Sequence, residues 1–334
     1  MEETLRDLQL AMDAHRRALS ETRTAHLRQS VRPEITDTRL LIMRRLATDI
    51  ERISGIEMTG MMEAKLGRVL ASVTLPTLGT WVSRLHLCSG DDPEWLSLIE
   101  ALTVHETFFH RDRSQLNLLT WILPEIIAAA AHSGRHTLRL WSAGCSTGEE
   151  AYTLAILALL ALRDAGFAAE TVEHGIVCRP PWQLDVLGSD ISRLVLAQAK
   201  SAVYSTEGLS AFRDLPREMQ RFFPILPKSP ETGDIERRGV HPAIGRVVRF
   251  QHCNLTANAP VEAGFDVVLC RNVLIYLTAP ARTRAQAALR QSLRPGGYLL
   301  LGPTDALADP ASYVVRWGAG ALAYALKSAN AGDE

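Results

Sequence analysis

The sequence predicts an α/β protein, a mostly parallel sheet preceded by a small all-helical domain. Three observations carry this. Residues 40–103 keep their apolar positions at helical spacing. From residue 135 short apolar strands alternate with helical stretches, the texture of parallel strands joined by crossovers. Between Leu138 and Tyr152 a short strand, a loop of small residues and an apolar helix follow one another directly. In that arrangement backbone N–H groups and a helix N-terminus face a ligand, as in the first third of a nucleotide-binding unit.

The bulk composition narrows the classes. At 334 residues the chain is long enough for roughly two domains. A hydrophobic share of 47% is that of a globular protein, and a net charge of −1 calls for neither a nucleic acid nor a membrane surface as partner. The five cysteines, at 88, 145, 178, 253 and 270, form no CxxC pair and read as reduced thiols in a cytoplasmic protein. The charged opening MEETLRDLQL lacks a signal-peptide core, and the longest apolar run, Leu154 to Leu162, is too short to span a bilayer, so no membrane insertion is expected.

In chain order, residues 1–39 read as a helical extension. Leu5, Leu8, Met12 and Leu19 make its first 32 residues amphipathic before Pro33 breaks the pattern. A solvated helix is the simpler expectation, with a partner-binding or dimerising helix as the alternative. In the N-terminal helical domain, 40–103, Leu46, Ile50 and Ile53 share one face and Gly55 stops the helix. A second helix carries Met62, Leu66, Val69 and Leu70, with Lys65 and Arg68 on its polar face. A third surrounds Trp81 and Leu85. A fourth begins at Asp92-Pro93-Glu94, an N-cap, an N1 proline and a first-turn acid. Residues 104–134 form a linking motif and an apolar helix ending near Ser133-Gly134.

The segment 135–330 is the α/β domain. Its expected strands are 138–141, 184–188, 246–250, 265–270, 298–301 and 321–325, and its helices 149–163, 191–200 and 274–293. Arg294-Pro295-Gly296-Gly297 reads as a turn. The stretch 204–245, rich in proline and glycine, reads as an inserted subdomain or loop.

Ligands of such sheets bind beyond the carboxyl ends of the strands. The residues there are Gly144 to Glu149, Asp190, Asn254 and Arg271-Asn272. Asp190 suits a ribose diol, since a carboxylate accepts from both hydroxyls, or it caps the helix 191–200. Asn254 reads an adenine edge or caps a turn. Two other chemistries are set aside. His105 and Glu106 begin like a zinc-protease helix, but His110 follows His105 by five residues, about 140° round a helix, so the imidazoles cannot share a metal. Gly144 to Gly148 fits GxSxG, a hydrolase nucleophile elbow on Ser146. Yet no oxyanion loop of the HGGG type precedes it, and Glu149-Glu150 would oppose a developing negative charge.

Together these residues resemble the class I, Rossmann-like methyltransferases that use S-adenosylmethionine, specifically the CheR type that methylates chemotaxis receptors. SAGCSTGEEAY resembles that family's SAxxSTGEEPY loop, GSDIS its ASDID segment, FDVVLCRNVLIYL its FDxIxCRNVxIYF, LRPGGYLLLG its LxPGGxL turn, and VHETFFHRD its NETxFFRD motif. The likeness covers about residues 40–325, and CRNVLIY is its most specific part. His105 replaces an asparagine, His110 a phenylalanine, Ala151 a proline, and Gly302-Pro303-Thr304-Asp305 the usual GHSE.

The resemblance implies S-adenosylmethionine as cofactor and S-adenosylhomocysteine as product. Its cofactor contacts carry over to Thr107, Arg111, Glu149, Asp190, Asn254, Leu255 and Asn272, and His105, Gly144 and Arg271 of the same motifs join them as candidates. Arg111 is the catalytic candidate, because its fork can orient a carboxylate; a salt bridge with Asp112 is its plain alternative. No metal is expected. The implied reaction forms γ-glutamyl methyl esters on the cytoplasmic helical signalling domain of a chemoreceptor or similar protein. A catalytically weak regulator that keeps the cofactor fold is the alternative, and calorimetry with the cofactor separates the two.

Overall fold

The computed structural model describes residues 37–171, 173, 175–208, 210–227, 235–257 and 262–328. The amphipathic helix expected at 1–32 lies outside them. The chain forms two compact units: one up to Val104 that also takes in Tyr276–Ala281, and one of His105–Ile275 with residues from Arg282 onward. Segment 105–134, expected to be a link, therefore belongs to the second unit.

The first unit is built from α1 (Asp37–Ser54), α2 (Gly60–Val69), α3 (Leu75–Leu85) and α4 (Pro93–Leu102). Their apolar stripes meet in one core of Leu46, Ile50, Leu66, Trp81, Leu85, Trp95 and Leu98. Asp92 caps α4 by accepting from the Glu94 N–H at 2.9 Å, and Thr59 caps α2 from its side chain. The polar face of α2 differs from expectation. Lys65 is half-buried and its Nζ donates to the Leu102 and Thr103 carbonyls at 2.9 and 3.1 Å. It satisfies the orphan C-terminal carbonyls of α4, leaving Arg68 as the exposed cation of that helix. Burial, with Arg68 nearby, pushes the Lys65 pKa down.

The second unit holds α5 (Arg113–His132), β1 (Thr137–Ala143), α6 (Glu149–Asp164), β2 (Ala168–Glu170), β3 (Ile176–Cys178), β4 (Gln183–Asp190), α7 (Arg193–Ser201), β5 (Val203–Ser205), β6 (Arg237–Gly239), α8 (Pro242–Gly245), β7 (Val248–His252), β8 (Phe265–Cys270), the rest of α9 (Ala279–Ser292), β9 (Leu293–Leu301), β10 (Tyr313–Gly318) and β11 (Ala321–Leu326). Seven strands form one sheet in the order β10-β11-β9-β8-β1-β4-β7. β7, β4, β1, β8 and β9 run parallel, and β11 lies antiparallel to both β9 and β10. This is the Rossmann-like α/β class expected. The central strands are apolar on both faces because helices cover both: β8 is buried throughout.

Two local features depart from expectation, and a third takes one of the two forms expected. The Arg294–Gly297 turn lies inside β9, where the register against β8 slips between Phe265 and Val267. Gly296 takes a positive φ, and a Cβ on Gly297 would stand 2.9 Å from the Phe265 carbonyl, so the glycines let a bulge hug β8. β10 and the β2–β3 hairpin had no clear alternation to announce them. The stretch 204–245 is not a plain loop: β5 pairs with β6, and a 3₁₀ turn covers Arg217–Phe222. Its Phe212 and Phe223 close around Phe109. Among the described residues no helix is long and apolar enough to cross a membrane.

Candidate cofactor site

Parallel strands deliver their carboxyl ends to one edge. Ala143 pairs with Ser189, Asp190 with His252, and Ser142 with Leu269, so the loops after β1, β4, β7 and β8 converge. The loop after β1 is fastened to β4, because the Gly144 and Cys145 N–H groups both donate to the Ser189 carbonyl, at 2.8 and 2.9 Å. Gly144 sits at φ 81°, and a Cβ there would meet Val273 Cγ2 at 2.3 Å, so only glycine fits.

Ser146 adopts φ 49° although it is not glycine. Its N–H donates to Asp190 Oδ2 at 2.9 Å and its hydroxyl to the His105 carbonyl at 2.9 Å. The hydroxyl is thereby committed to the main chain, which agrees with setting the hydrolase elbow aside. Positive φ also occurs at His110, Asp112 and Asn272, so backbone strain gathers around this edge.

Glu149 opens α6 and is buried. Burial pushes its carboxyl up to about 7, against the pull of the Thr147 hydroxyl, which donates to Oε2 at 2.6 Å. The Arg213 charge also pulls it down, but among the described residues no cation forms an ion pair with it. Asp190 holds its oxygens in place with two backbone donors, Ser146 N–H on Oδ2 and Ser192 N–H on Oδ1, both at 2.9 Å. Burial raises its pKa, while those donors and the nearby His105 lower it. The helix-capping alternative for Asp190 falls to Ser192: α7 begins at Arg193, and Ser192 accepts from Val195 N–H.

Asn254 shows the turn-capping alternative. Its Oδ1 accepts from the Thr256 N–H at 3.0 Å and the Thr256 hydroxyl at 2.8 Å, which shapes the turn that carries half-buried Leu255. Arg271 departs from the expected ligand contact. It is buried, and its guanidinium is consumed internally: Nε on Glu150 at 2.7 Å, and Nη1 on the Arg111 carbonyl at 2.9 Å, on Gln115 at 3.3 Å and beside Asp112 at 3.5 Å. It ties the 105–115 segment to the end of β8, and it takes the Asp112 partnership that the sequence left to Arg111. Asn272 follows at φ 58°, and its N–H lies close to Gly302.

In the 105–112 segment Arg111 donates to the Glu106 carbonyl at 2.8 Å and flanks the Phe108 ring. Thr107 and His105 are half-buried beside it. Three residues were missed. Arg213 stacks on Phe108 at 3.7 Å and pairs with Glu106 at 3.0 Å. Tyr204 donates its hydroxyl to the Thr147 carbonyl at 2.7 Å. Both come from the inserted stretch, which no strand-end rule addresses. Glu150 was read together with Glu149, but successive helix residues diverge by about 100°. Glu150 therefore turns to Arg271 and to the Ser142 hydroxyl, at 2.7 Å each.

These residues can hold a zwitterionic nucleoside. A buried carboxylate in no ion pair suits an ammonium, and a carboxylate oriented by two amides suits a diol. The acceptors at Glu149 and Asp190 therefore fit S-adenosylmethionine.

Comparison with known proteins gives the same ligand. Residues 105–316 match the family model described as CheR methyltransferase, SAM binding domain. Chemotaxis protein methyltransferase 1 of Pseudomonas aeruginosa is 32% identical over 249 residues, covering 74% of this chain and 82% of that protein. Chemotaxis protein methyltransferase Cher2 of Pseudomonas putida is 30% identical over 250 residues, 74% and 82% of the two chains. The chemotaxis protein methyltransferase of Listeria innocua is 28% identical over 268 residues, 79% and 89%. The chain belongs to the CheR family of S-adenosylmethionine-dependent methyltransferases, and residues 105–316 are its cofactor-binding domain.

Proposed function

We propose that the chain transfers a methyl group to glutamate side chains of the helical signalling domain of a chemoreceptor or similar protein, forming γ-glutamyl methyl esters. The observation that carries the reading is a buried Glu149 in no ion pair together with a backbone-oriented Asp190 inside a CheR domain. The names of the relatives, chemotaxis methyltransferases, support the substrate class. When bound, S-adenosylmethionine supplies a methyl group on a sulfonium. A substrate glutamate is already ionised near neutral pH, so no general base is required of the protein. What remains is alignment and exclusion of water. Glu149 receives the ammonium and Asp190 the ribose. Arg111, with its backbone pinned by Arg271, stands at the segment that faces the incoming carboxylate.

The test is transfer from methyl-labelled S-adenosylmethionine by the full chain to a purified receptor signalling domain. The expected result is label released as methanol by mild base and lost when the acceptor glutamates become glutamine. Cofactor binding without base-labile transfer to any such domain refutes the substrate assignment.

A further inference from the structure

The outer edge of the sheet carries a second surface, remote in sequence from the cofactor loops. β10 ends the sheet, and between Tyr313 and Gly318 its one charge is Arg316. Edge strands are ordinarily blunted by charge, proline or bulges. The opposite edge follows that rule, since Arg249 of β7 is ion-paired to Asp185 and Glu262. On β10, Trp317 is 70% exposed, Val315 54% and Val314 49%, and Trp121 of α5, which lies over Gly318, is 63% exposed.

The hydrogen-bond phase of this edge can be worked out. The Lys327 N–H donates to the Ser312 carbonyl, and the hairpin turns through Ala319-Gly320, both at positive φ, as a two-residue I′ turn demands. Bonded and non-bonded pairs alternate along an antiparallel ladder. Ser312–Lys327, Val314–Ala325, Arg316–Ala323 and Gly318–Ala321 are therefore the bonded pairs. Tyr313, Val315 and Trp317 consequently point their main-chain groups outward. The Tyr313 N–H is taken by the Pro310 carbonyl. The N–H and C=O of Val315 and Trp317 and the Tyr313 C=O have no partner among the described residues.

We propose that this edge is a homodimer surface, formed by antiparallel pairing of β10 with β10 of a second copy across a two-fold axis through Val315. A two-fold perpendicular to the sheet keeps each face on its own side, so residues of like parity must pair. Centring on Arg316 would set two guanidinium groups opposite each other, which is unfavourable. Centring on Val315 sets Val315 against its own copy, Trp317 against Tyr313 and Arg316 against Val314. Four main-chain hydrogen bonds then form, two between the Val315 pair and two from Trp317 N–H to Tyr313 C=O. The exposed parts of the two tryptophans and two valines amount to on the order of 500 Å² per copy, so full cover would bury at most about 1,000 Å² for the pair, the size of weak, reversible interfaces. A net charge of −1 per chain offers little repulsion. The dimer is thus a reversible one, with a dissociation constant on the order of 1–100 μM.

Sedimentation velocity of the full chain from about 1 to 200 μM reads this directly. The expected result is a mass rising from one chain toward two. Val315→Lys, which places like charges across the axis, raises the dissociation constant at least tenfold, and Val177→Lys, at an exposed valine of β3, leaves it unchanged. The register is read with diamide as oxidant. Val315→Cys cross-links to its copy, because bonded antiparallel pairs stand about 5.5 Å apart at Cα, within disulfide reach. Val314→Cys, offset by two residues, does not. A single-chain mass at 200 μM, a dimer indifferent to Val315→Lys, or cross-linking of V314C as readily as V315C would overturn the proposal.

Discussion

Glu149 offers a quantitative handle on the cofactor assignment. Its carboxyl is held to about 7 by burial, which outweighs the Thr147 hydroxyl and the weaker pull of the Arg213 charge; no ion pair to it forms among the described residues. If the ammonium of S-adenosylmethionine occupies that place, binding requires the ionised form, and apparent affinity follows the ionised fraction. About one carboxyl in ten is ionised at pH 6 and nine in ten at pH 8, so affinity should rise roughly tenfold across that window. Binding at pH 6 should release close to one proton. Calorimetry in two buffers of different ionisation enthalpy measures both quantities. Glu149→Gln keeps an acceptor for the Thr147 hydroxyl but removes the charge. It should abolish the pH slope and weaken binding at pH 8 by roughly tenfold to a hundredfold. The same shift has a stability consequence of opposite sense. A raised carboxyl pKa favours the fold fully below the unfolded value near 4.5 and loses that contribution as pH climbs through 7. Without ligand, the glutamine variant should therefore be more stable than the parent at pH 8, by up to about 3 kcal/mol. A pH-independent affinity with no proton release would refute the ammonium assignment.

Asp190→Ala should weaken cofactor binding at least tenfold by calorimetry, since it removes the proposed diol acceptor and frees the Ser146 and Ser192 amides; unchanged affinity would refute the ribose role. Arg271→Met should lower stability by about 3–5 kcal/mol in denaturant unfolding, because Glu150 and Asp112 lose a buried guanidinium; a loss under about 1 kcal/mol would show that the network is dispensable. Lys65→Met should cost the helical unit about 1 kcal/mol by uncapping α4, seen as a lower thermal midpoint. If Lys65→Met leaves stability intact, the two carbonyls are served equally well by water.

Much of the architecture was legible because it depends on local periodicity. α4 starts at an N-cap and proline visible in the chain, and α6 starts at Glu149 where the small-residue loop ends. Apart from Asp266, β8 is an apolar run, the pattern of a doubly covered strand. Strand order followed from none of this. It depends on which strands pair across long separations, as β1 does with both β4 and β8. The edge strand β10 carries little pattern, because an edge with both faces exposed imposes none.

The site divides along the same line. Glycine loop, Asp190, Asn254 and the CRNV segment could be located from the chain, since residues just past parallel strands share an edge by construction. Their individual tasks could not. Arg271 and Asn272 are neighbours in sequence, yet burial commits the first to Glu150 and Arg111. Glu149 and Glu150 are the same residue type one step apart, and only the direction of each side chain leaves one a buried acid outside any ion pair and makes the other half of one. Lys65 looked like a surface cation until α4 brought its last carbonyls to it. The sequence by itself determined the class of fold and the edge at which a ligand binds, because both rest on spacing along the chain. Tertiary structure decided which charges are left without partners, because that depends on residues far apart in sequence competing for the same donors and acceptors.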